Sequence, residues 1–514
     1  MKESVMKVEV PVFGVKLHFL RKLATMMDPN STMYEVSAFL KSNIINDEPN
    51  KSVAEIFYQN HTGNSTTHEI WGHFDDNFTL HPNIYLCYAW SYSISIILDL
   101  LREYISMNSL ENVSVWIDIF CFPQIPSPIA TSNILHTKEY IYCIKNLLLL
   151  IPDIIHPTIV NRTWCIFEIF LNCLCNGKLD VYFPSHQFQT FSTVIWSNMN
   201  SLLSTLCRID LKASVATNSM DKEMILSDID KDDGVKQFNI IVHRQMKQWL
   251  ADYIHQFYMN DITLSMIQSS DSMTSNTNQV AYLLSECSHF QEAKDLFTMT
   301  LLTYEQKYGP MDRNTLGVAN NLVFVLYKLD LKEEAVSMSQ RVIEGYNQSY
   351  GPDHANTVAA IITGADLLKN YERLHDSELL YRRALTLIER GRGEHHPSAI
   401  SAVRNLGYLL QSQRLYAEAE KFYQRALDGY LQIYGENDKL TCDTAYNFGL
   451  LLIERKKHKK ANLMFQKAYS GFYNVLGPDH ESTQESKKRM IISSVKQRVL
   501  QRQMSQLSRA CTVM

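Results

Sequence analysis

Glycine and proline are scarce in this chain of 514 residues, which contains 18 and 14 of them respectively. This scarcity leaves little room for low-complexity linkers and indicates long helices. Uninterrupted apolar runs stay short of the roughly 18 residues that a transmembrane helix requires. The amino-terminal segment also lacks the apolar core of a signal peptide. We therefore expect a cytosolic protein, and the length of 514 residues predicts two or more domains.

Zinc-site spacings are also lacking among the ten cysteines. We therefore expect reduced thiols and no bound metal. The net charge of −5 offers no argument for nucleic acid as a partner. Neither GxxxxGKS/T nor GxGxxG occurs, so the chain carries no sequence signal of a nucleotide-phosphate loop.

A repeat of constant length is the strongest pattern that is present. Each unit reads as helix, short break, helix and glycine-containing turn, with one small residue where the two helices must approach closely. This pattern predicts a solenoid of helical hairpins. The turn glycines, which recur at one fixed interval, are Gly309, Gly351, Gly393, Gly435 and Gly477. The small residues recur at the same interval and are Ala293, Ala335, Ser377, Ala419 and Ala461.

The unit resembles the longer, kinesin-light-chain type of tetratricopeptide repeat (TPR), in segments such as RLYAEAEKFYQRALDGYLQIYGENDK and RNLGYLLQSQ. The resemblance implies an all-α solenoid of about five units plus a cap. Asn321, Asn405 and Asn447 are in register on the first helices of their units. In the family, asparagines near this position line the concave groove and bind a peptide backbone. The resemblance thus implies a protein or peptide ligand, and the alternative is an ordinary polar solenoid surface.

Strand-like and helix-like segments alternate in the middle of the chain. The segments VSVWIDIF and NLLLLIPD are continuous apolar strands, which predicts a parallel sheet covered on both faces. The default topology is a doubly wound, flavodoxin-like α/β fold, whose ligands bind beyond the carboxyl ends of the strands. Those ends fall at Trp90-Ser91, at 118–121 and at Pro152-Asp153.

Glu168 is the one acid within the apolar helix that we predict over 163–176. A buried carboxylate without a partner is rare, because its desolvation costs several kcal/mol, as the removal of one partner from a buried ion pair does. Glu168 therefore either pairs with a cation such as Arg162 or opens onto a cleft. It follows Trp164 by four residues, so the two share a helix face.

Residues 84–184 are similar to the Toll/interleukin-1-receptor (TIR) domain, through YLCYAW, VWIDIF and the Trp-Cys-x-x-Glu signature within RTWCIFEIF. In enzymatic members that glutamate promotes cleavage of the nicotinamide–ribose bond of NAD. The resemblance implies Glu168 as the catalytic residue, NAD as the substrate and a mobile loop at 121–135. Other TIR-like domains act by self-association without chemistry. The residues that would form the NAD pocket are Trp90, Ser91, Asp118 and Trp164.

The chain departs from related proteins at two places. No clear fifth strand follows KLDVYFP. In a poorly characterised family of protist and algal proteins with a TIR-like unit, the first strand often ends in His-Ala-Trp. This chain has Tyr88 in place of that histidine, which puts any histidine-dependent chemistry in doubt.

The last four residues, Cys511 to Met514, form a prenylation box of the type that favours farnesyl. Basic residues lie upstream, and no acid follows Glu485. One lipid chain binds membranes only marginally, and a basic segment supplies the second signal by attraction to anionic lipid. We expect peripheral attachment to a membrane through the farnesyl group and the basic tail.

Together these patterns predict a multidomain signalling or scaffold protein, in which the array binds a partner and the TIR-like domain mediates association. The alternative is an NAD glycohydrolase regulated by the array. A motor cargo adaptor is disfavoured because no long heptad segment precedes the repeats. The predicted regions are a mixed extension at 1–80, a TIR-like α/β domain with a helical extension at 81–258, a linker at 259–277, the TPR solenoid at 278–485 and a basic tail at 486–514.

Overall fold

The structure is a computed structural model with two compact units, Met1–Ala293 and Lys294–Met514. Most of the extension at 1–80, most of the loop at 121–135 and the first part of the linker at 259–277 lie outside the described residues. The structure describes residues 14–40, 42, 53–54, 78–79, 81–118, 130–207, 209–217, 219–229, 231–258 and 271–512.

Six strands of the first unit form one mixed sheet. In chain order they are β1 (Gly14–Lys16), β2 (Phe78–Thr79), β3 (Ile84–Cys87), β4 (Ser114–Trp116), β5 (Asn146–Leu150) and β6 (Lys178–Tyr182). They lie in the order β2-β1-β4-β3-β5-β6. Strands β3 to β6 are parallel, whereas β1 pairs antiparallel with both β2 and β4. The prediction of a parallel sheet is therefore correct in part. Strands β3 to β6 form it, whereas the antiparallel β1 and β2, which lie in the 1–80 extension, were not predicted because they are too short to show a hydrophobic period.

Helices cover both faces of the parallel strands. The first five are α1 (Leu17–Thr25), α2 (Met33–Leu40), α3 (Ile94–Met107), α4 (Ala130–Ile144) and α5 (Thr163–Leu174). The strand register places Tyr85 and Asp180 on opposite faces. Tyr85 stacks on Trp116, which contacts Tyr140 of α4, whereas Asp180 accepts a hydrogen bond from Tyr104 of α3. The order of the four parallel strands is that of a flavodoxin-like sheet.

Among the described residues, four helices lie between β6 and the repeats, and no further strand follows β6. An aromatic cluster packs the first and the last of these helices against the end of the sheet. The ring of Phe183 lies 5.0 Å from that of Phe191 and 5.6 Å from that of Tyr253. The helices are α6 (Phe188–Ser197), α7 (Met199–Leu206), α8 (Ser219–Asp228) and α9 (Lys231–Tyr258).

The remaining helices follow one another through short turns, and those from Arg313 onward pack in successive pairs. They are α10 (Asp271–Glu286), α11 (Phe290–Tyr308), α12 (Arg313–Lys328), α13 (Lys332–Tyr350), α14 (Ala355–Asn370), α15 (Leu374–Arg392), α16 (Pro397–Ser412), α17 (Tyr416–Tyr434), α18 (Lys439–Glu454), α19 (His458–Leu476) and α20 (Glu481–Thr512). The first helices of the pairs start at a constant interval along the chain, and the second helices keep the same interval. Helix α20 continues through most of the segment that we predicted as a basic tail.

Close helix approach explains the periodic small residues. Ala293, Ala335, Ser377, Ala419 and Ala461 are all fully buried. A second tight contact occurs at Gly429, where an added Cβ would lie 2.6 Å from Cδ1 of Ile400. Larger side chains at these positions would push the paired helices apart, because protein interiors leave no spare volume.

The turn glycines are required by the backbone. Each of the five ends a second helix with φ between 81° and 89°. At Gly351 the accompanying ψ is 166°, a region that is essentially restricted to glycine. We expect Gly351→Ala to lower the free energy of unfolding by about 1–3 kcal/mol, measured by chemical denaturation.

Gly317 in α12 provides the matched control. It lies within a helix, and an added Cβ there meets no atom within 4 Å. Gly317→Ala is expected to stabilise the chain by about 0.5–1 kcal/mol, because alanine loses less conformational entropy in a helix. Equal effects of the two substitutions would contradict the role of backbone strain at Gly351.

Candidate functional site

Polar side chains meet where β3 and β4 end. Asp118, two residues beyond β4, accepts hydrogen bonds from the Tyr88 hydroxyl at 2.5 Å and from Trp90 Nε1 at 2.6 Å. Tyr88 thus binds the carboxylate of Asp118. This edge of the sheet is where ligands bind in open parallel sheets.

Glu168 on α5 faces the same part of the sheet. Its Oε1 accepts a hydrogen bond from the Tyr85 hydroxyl at 2.9 Å. The carboxylate and the thiols of Cys87 and Cys165 lie within 4.8 Å of one another. Burial raises the pKa of Glu168 to about 8, against the hydrogen bonds from Cys87 and Tyr85, and the charge of Asp118 raises it further. Glu168 is therefore mainly protonated at neutral pH.

The ion pair with Arg162, one of our two alternatives for Glu168, is not formed. The Arg162 guanidinium donates to Thr217 at 2.7 Å and to the Tyr34 hydroxyl at 3.3 Å. In the part of the chain that the structure describes, Glu168 has no cation within ion-pair distance. The fold accommodates this acid as a neutral, hydrogen-bonded carboxyl, and its opening onto a cleft stays a prediction.

The remaining residues of the predicted NAD pocket separate into two groups. Trp90 and Asp118 bind each other, and Trp90 packs edge-on against Tyr34. Ser91 is exposed, whereas the indole of Trp164 donates to Asp221 of α8 at 2.9 Å. Trp164 therefore contacts the helical extension, a contact that the local sequence pattern could not show.

A groove in the second unit brings two of the three predicted asparagines together. Asn405 of α16 and Asn447 of α18 line a cavity of about 780 Å³. Most of the lining comes from first helices, and the exceptions are Tyr423, Leu374 and the turn residue Glu372. Asn321 is half-buried on α12 and does not line this cavity. The cavity is further lined by Lys369, Asn370, Arg404, Tyr408, Ser412 and Asp443.

The groove carries both signs of charge beside an exposed ring. Lys369 binds Asp366 at 2.7 Å, and its ammonium lies 5.6 Å from the centre of the Tyr408 ring. Burial raises the pKa of Asp443 against the opposing charges of Lys439 and Arg404. Tyr408 is 51% exposed. Amide, charged and aromatic groups therefore face one cavity, a composition typical of peptide-binding surfaces.

Sequence profiles of the tetratricopeptide repeat match residues 315–356 and 398–474. These residues are tetratricopeptide repeats, and our prediction of that repeat type is confirmed. Among curated proteins, none matches this chain. No helix among the described residues has the length and apolar character needed to cross a membrane.

Several solved structures resemble the chain at low identity. The putative kinesin light chain TPR-like repeats of Podosopora anserina are 11% identical, with 41% of this chain and 96% of that chain covered and a TM-score of 0.36. BtubC from P. vanneervenii is 16% identical over 49% and 91%, with a TM-score of 0.33. The quorum sensor NprR from B. thuringiensis is 14% identical over 54% and 75%, with a TM-score of 0.32.

The raised pKa of Glu168 predicts a pH dependence of stability. Between about pH 4.5, the ordinary value, and about pH 8, the folded chain holds a proton that the unfolded chain has lost. Stability therefore falls as pH rises through this window, by at most about 1.4 kcal/mol per pH unit. We expect Glu168→Gln to remove this fall, measured as the wild-type minus variant free energy of unfolding at pH 5 to 9.

Glu111→Gln is the control, since Glu111 is exposed in the loop before β4. Its difference from wild type is expected to stay flat across the same pH range. A flat difference for Glu168→Gln as well would mean that Glu168 titrates normally in the folded chain.

Proposed function

We propose that this protein is a signalling or scaffold protein whose repeat array binds an extended segment of a partner protein. The observation that carries the proposal is the pair of asparagines from successive repeats, Asn405 and Asn447, in one cavity of about 780 Å³. A carboxamide both donates and accepts hydrogen bonds, and so matches the two polar groups of a peptide unit.

The flanking side chains favour a segment of mixed character. Arg404 and Lys369 offer cationic groups for a carboxylate, and the exposed Tyr408 ring offers an apolar surface. Extended peptides bind such grooves through main-chain hydrogen bonds, with side-chain pockets providing specificity.

A displayed library of random dodecapeptides, selected against the full chain, tests the groove. We expect Asn405→Ala combined with Asn447→Ala to weaken the selected peptides about tenfold or more, because each net hydrogen bond contributes about 0.5–1.5 kcal/mol. Affinity is measured by fluorescence anisotropy. Asn474→Ala is the matched control, since Asn474 is an exposed asparagine on the second helix α19. Undiminished affinity in the double variant would place the binding surface elsewhere.

For the first unit we propose a TIR-like domain that mediates association with other copies or with related domains. The support is the flavodoxin-like order of its parallel strands and the Trp-Cys-x-x-Glu signature on α5. The second candidate, cleavage of NAD, is favoured by two observations. Glu168 has no cation within ion-pair distance in the described part of the chain, and it lies near the carboxyl edge of the sheet.

The protonation of Glu168 constrains the enzymatic candidate. A carboxylate stabilises the positive charge that develops on the ribose as nicotinamide leaves, whereas a neutral carboxyl does so weakly. Since the pKa of Glu168 is about 8, we expect any NAD cleavage to rise with pH through that value. Nicotinamide release by the full chain, measured from pH 6 to 9, is expected to be lost in Glu168→Ala.

Glu111→Ala serves as the control for this assay and is expected to keep wild-type turnover. Absence of nicotinamide release even with the chain clustered on beads would exclude the enzyme and leave association as the function of this unit.

We further propose that α20 contacts an anionic membrane surface and that Cys511 is farnesylated. Ile491, Val495 and Val499 are each about half exposed and lie four residues apart on one helix face. Ser486 and Ser493 are buried on the side that packs against the preceding repeat. An apolar row among basic residues is typical of helices that lie in the membrane interface. The side chain of Cys511 lies outside the described residues.

Vesicle binding tests this contact. The purified chain is expected to sediment with vesicles that contain phosphatidylserine and to be released by salt. Lys488→Glu changes the charge by two and is expected to lower the partition coefficient by about thirtyfold, at roughly 1 kcal/mol per charge near the surface. Lys421→Glu, an exposed lysine on α17, is the matched control. Equal losses of vesicle binding in both variants would mean that only the net charge matters. In cells, an unchanged membrane-bound fraction of Cys511→Ser would exclude the farnesyl anchor.

A further inference from the structure

Two histidines and two acids form a compact cluster between α9 and the start of α11. His255 Nδ1 lies 2.7 Å from Glu292 Oε1, and His289 Nε2 lies 2.7 Å from Asp252 Oδ1. The two imidazole rings stack with their centres 4.8 Å apart and their planes 23° apart. Two imidazoles and two carboxylates, all of which can bind a metal ion, therefore face one another between the two helices.

The cluster is built from two short patterns in the sequence. Asp252 and His255 are three residues apart on α9, and His289 and Glu292 are three residues apart at the start of α11. Residues at this spacing share a helix face. Each acid contacts the histidine of the other pair, so the two patterns interlock in a crossed arrangement.

The charge of the cluster suits a divalent cation. Two carboxylates supply two negative charges, and neutral imidazoles supply nitrogen donors. Protonation of both rings is the alternative way to neutralise the acids, but it places two positive charges in stacked rings at 4.8 Å. A single divalent ion neutralises the same carboxylates without that repulsion.

The donor types indicate which ion. Imidazole nitrogen favours zinc and its first-row neighbours over magnesium and calcium, which take oxygen ligands. The donor atoms of His255, His289 and Glu292 lie within 4.8 Å of one another. Tetrahedral zinc with bonds of about 2.0–2.1 Å requires donors roughly 3.3 Å apart, so these side chains must move closer together when the ion binds.

Access to solvent differs among the four groups. The side chains of His289 and Glu292 are each 19% exposed, whereas those of His255 and Asp252 are 49% and 56% exposed. An ion can therefore reach the cluster from solvent and lie against its half-buried side.

We propose that His255, His289 and Glu292 bind zinc or a similar divalent transition-metal ion, with Asp252 as the fourth ligand, and that this ion cross-links α9 to the start of α11.

A second cluster, formed by Cys87, Cys165 and Glu168, could compete for the metal in an assay. Burial raises the pKa of Cys87 well above its usual range, so metal binding there must displace protons from buried groups. Cobalt distinguishes the two clusters, because thiolate ligands add near-ultraviolet charge-transfer absorption that nitrogen and oxygen ligands lack.

The test uses the full chain after removal of metals by a chelator. Titration calorimetry with zinc chloride is expected to show one equivalent more for wild type than for the His255→Gln/His289→Gln variant. Glu292→Gln is expected to weaken this binding at least tenfold. His156→Gln is the matched control, because His156 lies 3.2 Å from Asp153 in an exposed pair on one segment, and it should bind zinc as wild type does.

Two further readouts decide the outcome. Zinc is expected to raise the melting temperature of wild type and of His156→Gln but not of the double variant, whose circular dichroism stays unchanged. The cobalt difference spectrum, wild type minus double variant, is expected to show visible bands without thiolate absorption. Equal zinc stoichiometry in wild type and double variant, or thiolate bands in the difference spectrum, would overturn the proposal.

Discussion

Close packing of paired helices at small, fully buried residues is the constraint on which the repeat array depends. Ala335, Ser377 and Ala419 allow each second helix to approach its partner. A single helical hairpin cannot bury its own apolar side, so each pair completes its core against the next. One continuous core includes Tyr423 and Phe448 from neighbouring repeats. The first helices are left to line a groove, and this is why amides from successive repeats reach the same cavity.

Glu168 shows how a partly buried acid is accommodated with no counter-ion among the described residues. Burial disfavours the charged form, and the hydrogen bond that Tyr85 donates to the carboxyl offsets this effect only in part. Because the carboxyl of Glu168 is mainly protonated at neutral pH, the fold avoids an unpaired charge there, but Glu168 then stabilises positive charge only weakly. Structural and catalytic demands on this position therefore oppose each other, and pH determines which form the carboxyl takes.

The repeat array and the sheet differ in how far sequence reasoning could reach. Helix starts at a constant spacing follow from local features, namely turn glycines, small residues and apolar periodicity. The parallel strands β3 to β6 were predictable because apolar residues predominate in each of them. Strands β1 and β2 were not, since two or three residues show no period and their pairing partners are distant in the chain.

The sequence by itself determined the helical period, the parallel strands and the chemical types of Glu168, Asn405 and Asn447, because local patterns encode all of these. Only the tertiary structure decided which groups meet. It separated Arg162 from Glu168, left Asn321 outside the cavity that Asn405 and Asn447 line, and joined two acid–histidine pairs that lie on different helices. Side chains that are distant in the sequence become neighbours through packing, and local sequence patterns do not show which of them will meet.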